Sequence, residues 1–581
     1  MKKYSYLLLA ASLAFGCERS GTPLLITEGS DLSVSSPFES KLAKGATDTF
    51  RVHLEKGALA SGFADQVSVD VVVKVFGPEG QLLREFDSPA RGPEPFQFTS
   101  EGGVYKIVVT PFQEGEGDYV IMLDRVEAVA TTNEGKIDQL MRFAMGAGET
   151  VPGATVAVVK DGKVVFSKGY GFANLEYDIR NSSTTIFHVA SVSKQFTGFA
   201  IAMLADQGKV SMDDDIRKYL PEMHDFGKKI TLSHLVHHTS GLRDQWSLLA
   251  LAGWRLDDVI TREQVLRLIF NQKELNFEPG EEMLYCNTGF TLLAEIVSRV
   301  TGQSFAEWTK ANMFDPLGMK NTLFYDDHEK IVRGRAYSYY KNDKGELKKS
   351  VLSYANVGAT SLFTTVEDLA LWAVNFENVS VGNDNIMKMM DERYILNKGD
   401  TMGYGFGQGI GSYKGLVNKT HGGADAGYRT FINRFPGQRF SVIVFSNLAS
   451  FNPGNIAYQI ADIFLADQLT EVPPKPSEAP PAGDDQPKEA FETSSVVLSE
   501  YTGRFYSPEL ETAYTLEVVN DTLVAHHQRH DDIKLTIKQK DGFSSSAWWT
   551  GNIDFTRNSS NAIYGFKVNA GRVRNVAFEK Q

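Results

Sequence analysis

Ser191 and Lys194 lie three residues apart in the segment Ser191-Val192-Ser193-Lys194. A lysine one helical turn after a serine lies on the same face of the helix, where it can act as the base that activates the hydroxyl group. The pair begins an apolar-periodic stretch from Phe196 to Leu204, so the serine should lie near the positive end of a helix dipole. Because burial disfavours the charged form of lysine, we expect neutral Lys194 to deprotonate Ser191.

Tyr285 and Asn287 form the second candidate motif, Tyr285-Cys286-Asn287. The motif follows the turn Phe277-Glu278-Pro279-Gly280 and precedes an apolar stretch from Phe290 to Val300 that predicts a helix. A tyrosine there can relay a proton between the serine, the lysine and the leaving group. We expect Asn287 to donate a hydrogen bond to a substrate carbonyl.

His421-Gly422-Gly423, followed by Ala424, is the third motif. It precedes two apolar stretches, Tyr428 to Phe435 and Phe440 to Ser446, that predict a β-hairpin. Glycine lets a substrate backbone approach the edge of a strand closely. The backbone N–H groups of Ala424 and Ser191 would then form an oxyanion hole.

Similar spacings elsewhere in the chain have weaker context. Ser338 and Lys341 repeat the Ser-x-x-Lys spacing but run into a polar turn, and further Tyr-x-Asn copies begin at Tyr340 and Tyr354. His234 and His238 lack a third metal ligand at a clear spacing. Histidines also cluster at 526, 527 and 530, but adjacent residues of a strand point to opposite faces, so we expect no shared metal there. We therefore predict no metal site and no organic cofactor. No Gly-x-Ser-x-Gly motif occurs, which argues against an α/β-hydrolase.

The three motifs, in this order, resemble those of the class C β-lactamase-like serine hydrolases, a penicillin-binding-protein-like family that includes D-alanyl-D-alanine carboxypeptidases, D-aminopeptidases and esterases. The segments Leu235 to Leu242 and Ile201 to Leu220 look like the family's Leu-x-His-Thr-Ser-Gly segment and its helix after the nucleophile. The resemblance covers residues 133–467. It implies a serine hydrolase whose acyl-enzyme forms on an amide or ester, most often of a D-amino-acid peptide.

His421 stands where β-lactamases usually place a lysine that holds the carboxylate of the drug. Histidine is mostly neutral at pH 7 and is a weaker anion anchor. The sequence therefore favours a D-peptidase, a carboxypeptidase or an esterase over a β-lactamase. Two alternatives stay open: a weak β-lactamase, and a non-catalytic lipoprotein that binds peptidoglycan.

These motifs need a multidomain chain to position them. Residues 133–467 predict a central α+β domain, which the resemblance makes a β-lactamase/transpeptidase-like antiparallel sheet flanked by helices. Alternating stretches such as Val67 to Val73 predict an N-terminal β-sandwich over 24–128. Six prolines between Glu471 and Ala490 indicate a linker over 470–491, and residues 493–581 predict a small C-terminal β-barrel. This barrel is similar to those of some D-amino-acid peptidases.

Composition narrows the possible partners and the compartment. The net charge of −13 provides no general attraction to phosphate, so we expect no nucleic-acid partner. Met1-Lys2-Lys3, an apolar run and Gly16-Cys17 predict an export signal over residues 1–17, with a lipid on Cys17. We therefore expect an exported, membrane-anchored bacterial envelope protein, periplasmic or on the outer membrane. Its expected substrate is a small peptide or ester, with cell-wall peptide as one candidate.

Overall fold

The computed structural model describes residues 29–88, 92–146, 151–470 and 496–581. The predicted signal segment with Cys17 lies outside these ranges, as does the predicted linker beyond residue 470. The chain divides into two compact units, Met1–Gln139 and Leu140–Gln581. The domain boundaries drawn from the sequence stay predictions, but the second unit holds both the mixed α/β part and the C-terminal barrel.

The N-terminal unit is built from strands. In its described part these are β1 (Ser30–Asp31), β2 (Phe38–Leu42), β3 (Asp48–Gln66), β4 (Val71–Phe76), β5 (Leu82–Phe86), β6 (Gly92–Pro111) and β7 (Gly117–Ala128). They pair in the order β2-β7-β3-β6-β4-β5, with β1 on β3. Alternate residues such as Val71, Val73 and Val75 are fully buried, as the alternating pattern predicts. β4 nevertheless begins at Val71 and not at Val67, because the Gln66 side chain accepts the Val71 N–H (2.7 Å) and closes a turn there.

A six-stranded antiparallel sheet forms the centre of the second unit. Its order is β19-β20-β21-β22-β8-β9. The bounds are β8 (Ala154–Lys160), β9 (Lys163–Tyr170), β19 (Gly409–Tyr413), β20 (Leu416–Asp425), β21 (Tyr428–Phe435) and β22 (Phe440–Ser446). All residues of β22 are buried, and β21 and β22 form the predicted hairpin at the predicted bounds. Shorter strands lie between them: β10 (Phe172–Asn174), β11 (Ile179–Arg180), β12 (Phe187–His188), β13 (Val259–Thr261), β14 (Leu323–Phe324), β15 (Ser338–Lys341), β16 (Leu347–Ser350), β17 (Ser353–Ala355) and β18 (Leu362–Thr364).

Helices flank this sheet, as the resemblance implied. They are α1 (Asn133–Met145), α2 (Ser193–Asp206), α3 (Leu232–Val236), α4 (Gln245–Leu251), α5 (Arg262–Phe270), α6 (Asn287–Thr301), α7 (Phe305–Thr309), α8 (Asp315–Leu317), α9 (Val366–Asn375), α10 (Asp384–Met390) and α11 (Pro453–Leu465). α9 and α11 pack on the sheet, whereas α2, α3 and α4 pack on α6. The β-lactamase/transpeptidase-like architecture is therefore confirmed. Within the described residues, no helix is long and apolar enough to cross a membrane.

The C-terminal strands close into an eight-stranded barrel, as predicted. They are β23 (Gly503–Ser507), β24 (Thr512–Val519), β25 (Thr522–His527), β26 (His530–Gln539), β27 (Gly542–Ser544), β28 (Asn552–Arg557), β29 (Ile563–Ala570) and β30 (Val573–Lys580). β23 pairs with β30, which leaves no open edge.

Buried Arg243 attaches this barrel to the mixed α/β part. Its Nε and Nη2 donate to the carbonyl oxygens of Arg574 and Asn575 (both 2.9 Å), and its Nη1 donates to Glu509 (3.0 Å). The fully buried guanidinium thus has its charge paired and its donors used, which is the condition for burying a charge without a large penalty. The contact fixes the turn between β29 and β30 against the segment that precedes α4.

Candidate active site

Ser191 lies in a single 3₁₀ turn, Ala190–Val192, that leads directly into α2. Ala190 adopts a positive φ of 48°, a conformation that costs energy for a residue with a side chain and that is found preferentially at functional sites. The turn places Ser191 at the wall of a cavity, with α2 and its Lys194 behind it. The predicted helix is therefore present, with the serine in the turn that begins it.

Lys194 is completely buried and uses all three ammonium donors. Its Nζ donates to Ser191 Oγ (3.0 Å), to Asn287 Oδ1 (2.8 Å) and to the carbonyl oxygen of Ala359 (2.7 Å). Burial lowers the Lys194 pKa to about 7, with Arg572 acting in the same direction and the carboxylates of Asp425 and Asp244 opposing it. A neutral amine at this position would keep two donors and offer a lone pair to the Ser191 hydroxyl.

Tyr285 lies against the same lysine, with Nζ 4.9 Å from the centre of its ring. The hydroxyl oxygen is enclosed and has no hydrogen-bond partner among the residues that the structure describes. Burial raises the Tyr285 pKa, although Ser191 is near enough to oppose that shift. The phenol is therefore protonated at neutral pH and its proton is uncommitted.

Asn287 is the first residue of α6, and Asp244 fixes its orientation. The backbone N–H and the Nδ2 of Asn287 donate to Asp244 Oδ2 at 2.7 and 2.9 Å. The amide oxygen therefore faces Lys194, and only one Nδ2 proton remains for the carbonyl that the sequence assigns to it. Asp244, fully buried at the N-cap of α4, was not predicted; its only sequence signal is an acidic residue just before an apolar helix.

His421 is a neutral side chain in this site. A carbonyl oxygen only accepts, so the Nδ1 of His421 must donate to the oxygen of Gly422 (2.7 Å), and Nε2 accepts from the Tyr404 hydroxyl (3.0 Å). Burial, assisted by the charge of Lys194, lowers the His421 pKa to about 3. The histidine therefore carries no charge with which to hold an anion, and both of its nitrogens are already bonded.

Gly423 lets β20 approach the turn that carries Ser191. A Cβ atom at this position would lie 2.3 Å from the oxygen of Val189 and 2.3 Å from Thr430 Oγ1. The Thr430 hydroxyl donates to the same Val189 oxygen (2.9 Å), which ties the sheet to the turn. Ala424, the next residue, lines the same cavity as Ser191, so both predicted oxyanion-hole residues lie at one site.

The cavity has a volume of about 660 Å³ and collects the predicted residues at one place. Ser191, Tyr285, Asn287, His421, Gly423 and Ala424 line it. Lys194, the seventh predicted residue, lies directly behind Ser191. A serine, a buried lysine and an enclosed tyrosine around one cavity are the groups that nucleophilic acyl transfer needs.

Comparison with known proteins agrees with this geometry. The sequence pattern of the family described as Beta-lactamase matches residues 135–464. The chain belongs to the β-lactamase family. A D-aminopeptidase of Gluconobacter oxydans is 28% identical over 56% of this chain and 60% of its own length. A penicillin-binding protein of Bacillus subtilis is 28% identical over 60% of this chain and 78% of its own length.

A solved structure shares the fold. The octameric penicillin-binding protein homologue of Pyrococcus abyssi is 23% identical, with a TM-score of 0.52, over 77% of this chain and 99% of that one. The chain thus spans between about three fifths and four fifths of the two relatives named above, and the likeness in structure concerns the fold alone.

This β-lactamase family member also has residues in its cavity that sequence reasoning missed. They include Leu256, Tyr354, Thr360, Asp425, Arg429, Trp548 and Arg572. Tyr354 belongs to a Tyr-x-Asn copy that the sequence set aside; it packs on Trp246, with ring centres 4.8 Å apart. Trp548 and Arg572 come from the barrel, more than 120 residues after the last of the three motifs, and no local pattern marks them.

The other discounted motifs do not line this cavity. Ser338 is on β15 and donates to the oxygen of Ser350 (2.8 Å), while Lys341 is exposed. His234 completes a capping box with Thr231, and His238 accepts the N–H of Cys286 (3.0 Å). The described ranges contain no group of three or more side chains placed to hold a metal ion. A larger cavity of about 720 Å³, around Glu295 and Asn356, contains none of the predicted site residues.

Proposed function

We propose that this protein is a serine hydrolase that forms an acyl-enzyme on Ser191 and cleaves an amide or ester bond, most often beside a D-amino acid. The observation that carries the proposal is the buried Lys194, whose Nζ lies 3.0 Å from Ser191 Oγ and whose pKa burial lowers to about 7. A lysine with that pKa is half neutral at pH 7, which is the state a general base needs. The family membership and the relatives named D-aminopeptidase support the substrate class.

Acylation begins with proton transfer from the Ser191 hydroxyl to neutral Lys194. The oxygen attacks the carbonyl carbon of the substrate, and the backbone N–H groups of Ser191 and Ala424 stabilise the oxyanion that results. Tyr285 donates its proton to the departing nitrogen or oxygen and recovers one from protonated Lys194. The bond to the leaving group breaks, the amine or alcohol leaves with the proton donated by Tyr285, and the proton first carried by the serine ends on Tyr285.

Deacylation repeats these steps with water. Water loses a proton to the Lys194–Tyr285 pair and attacks the ester carbonyl of the acyl-enzyme. The tetrahedral intermediate collapses, the bond to Ser191 Oγ breaks, and the serine regains a proton. The products are one carboxylic acid and one amine or alcohol for each water consumed.

Neutral His421 offers no charge for the carboxylate of a β-lactam, so the third motif itself provides no anchor for the drug. The reading as a non-catalytic binding lipoprotein loses support because Ser191 and Lys194 are hydrogen-bonded and enclosed. Export, and anchoring by a lipid on Cys17, remain parts of the proposal that rest on the sequence.

The test uses protein that begins after Cys17, next to its Ser191→Ala variant. Both are incubated with D-alanine 4-nitroanilide, the L-enantiomer, a short-chain 4-nitrophenyl ester and nitrocefin. We expect serine-dependent cleavage of the D-anilide and of the ester, little cleavage of the other two, and a nearly unchanged melting temperature in Ser191→Ala. Turnover that survives this substitution would contradict the proposal, and a protein that neither cleaves any substrate nor reacts with a fluorescent phosphonate would be a binding protein.

A further inference from the structure

The turn between β29 and β30 carries a cation from the barrel into the active-site cavity. Ala570 pairs with Val573 across the hairpin, and Gly571, with a φ of 54°, and Arg572 form the two-residue turn. The carbonyl oxygen of Arg572 accepts from the N–H of Asp244 (3.2 Å) and from Asn276 Nδ2 (2.9 Å). The backbone of Arg572 is therefore held in place, and its side chain lines the cavity beside Tyr285.

The guanidinium of Arg572 has N–H donors that are available to a ligand. It lies 5.6 Å from the centre of the Tyr285 ring, and its Nη2 is 3.6 Å from Asp244 Oδ1, too far for a hydrogen bond. Asp244 already accepts from Trp246 N–H and from both N–H groups of Asn287. Among the hydrogen bonds of the described residues none is donated by the Arg572 side chain, which is 33% exposed and offers five N–H donors.

The other charged groups at the cavity are less suited to this role. Arg429 Nη1 donates to the carbonyl oxygens of Ala426 and Tyr428 (3.1 and 2.7 Å), and the charge of this arginine interacts with the carboxylate of Asp425. Lys194 uses its three donors inside the site, and His421 is neutral. Asp425, which accepts from Thr360, is an acid next to Ala424 and would repel an anion placed at its end of the cavity. An anion should therefore lie at the Arg572 end.

We propose that Arg572 binds a carboxylate on the leaving group of the substrate, so that the preferred substrates are peptides that end in a free carboxylate. The inference rests on the proposed function. Tyr285 gives its proton to the leaving group, and the Arg572 guanidinium lies 5.6 Å from the centre of that tyrosine ring, so the cation is close to the leaving group. Guanidinium and carboxylate can pair through two parallel hydrogen bonds. A barrel residue thereby supplies the cation that His421 does not.

The test compares D-alanyl-D-alanine with D-alanyl-D-alanine amide, which differ only in the carboxylate. Release of D-alanine or of its amide is measured for wild type, Arg572→Gln and Arg572→Lys. We expect wild type to prefer the acid, and Arg572→Gln to lower kcat/KM for the acid by about 10- to 100-fold while the amide changes little, as the loss of a charge-assisted hydrogen bond predicts. Arg572→Lys should retain part of the preference.

Arg574→Gln is the matched control. Arg574 lies two residues along β30, but its side chain pairs with Glu282 (2.8 Å) and does not line the cavity. It should leave the acid-to-amide ratio unchanged. If Arg572→Gln lowers kcat/KM equally for the acid and the amide, Arg572 acts only through the pKa of Lys194 or by packing. If the acid-to-amide ratio of kcat/KM does not change, Arg572 contacts no carboxylate. Either result overturns the inference.

A second pair of substrates separates this inference from the proposed function. 4-Acetoxybenzoic acid and its methyl ester carry the same acyl group and differ in one carboxylate on the leaving group. If the protein cleaves these esters and no D-peptide, the D-amino-acid part of the proposed function fails. The effect of Arg572→Gln on the acetoxybenzoate pair then supports or overturns the role of Arg572 by the same criterion.

Discussion

Substituting Lys194 by methionine should change the pH dependence of stability by an amount that follows from the burial of this lysine. The folded-state pKa is about 7 and the ordinary value is 10.5, so between these pH values the unfolded chain binds a proton that the folded chain does not. The free energy of unfolding of wild type therefore rises with pH in this window. At 1.36 kcal/mol per pKa unit, the cost of burying Lys194 falls from about 4 kcal/mol at pH 7.5 to about 1.5 kcal/mol at pH 9.5.

Methionine has a similar length and no charge, so Lys194→Met does not have this cost at any pH. The melting temperature of the variant relative to wild type should therefore be highest at and below pH 7. The difference should shrink by about 5 °C between pH 7.5 and 9.5, taking about 2 °C per kcal/mol for a large folded unit. Asp425, whose pKa burial raises to about 6, titrates below this window and does not contribute.

Differential scanning calorimetry of both proteins in matched buffers measures this difference directly. A gap in melting temperature that stays constant from pH 7.5 to 9.5 would mean that Lys194 titrates with an ordinary pKa and is charged at neutral pH. The same lysine should also set the acid limb of the kcat/KM profile, which reports the free enzyme. We expect that limb near pH 7 in wild type; a profile flat down to pH 5 would remove Lys194 from the role of general base.

Two further substitutions test how the site is positioned. Asp244→Asn removes a negative charge that raises the Lys194 pKa, and it removes an acceptor for Asn287. We expect kcat/KM to fall by about 10-fold or more and the acid limb of its pH profile to move to lower pH. A fall in kcat/KM with the acid limb unmoved would indicate a purely structural role for Asp244. Gly423→Ala places a methyl group 2.3 Å from the Val189 oxygen and should lower kcat by about 100-fold, as loss of an oxyanion-hole donor does. Gly422→Ala, where the nearest atom is 3.5 Å away in Phe431, is its control and should lose far less on a short-chain ester.

The sequence predicted the parts of the site that local patterns encode. Ser191 and Lys194 share one helix, so their neighbourhood follows from helical geometry alone. The β21–β22 hairpin follows from two apolar stretches with a turn between them, and it positions His421 on the adjoining strand. The third motif has a histidine in place of a lysine, and its reference pKa already indicated that this histidine is a weak anion anchor. Burial lowers the His421 pKa further.

The sequence could not predict Asp244, because an aspartate before an apolar helix is an ordinary N-cap. Its second function, to orient Asn287 through two hydrogen bonds, depends on α4 and α6 meeting in space. Similarly, nothing local separates Tyr354, which lines the cavity, from Tyr340, which is exposed on a strand. Such roles arise from tertiary contacts between segments far apart in the chain, and they become visible only when the fold is known.

Arg572 could not be predicted from the sequence for the same reason, because it belongs to the barrel and lines a cavity of the mixed α/β part. Its proposed role requires these two parts to be rigidly joined, and both belong to one compact unit. A cation that selects a substrate must be held to within a fraction of an ångström, which a flexible linker cannot do. Buried Arg243 meets this need by binding the backbone of β30 immediately after the turn, at Arg574 and Asn575. Because its charge is paired and its donors are used, this buried guanidinium holds the barrel near Ser191 without a large penalty. The barrel is therefore best understood as one wall of the active site.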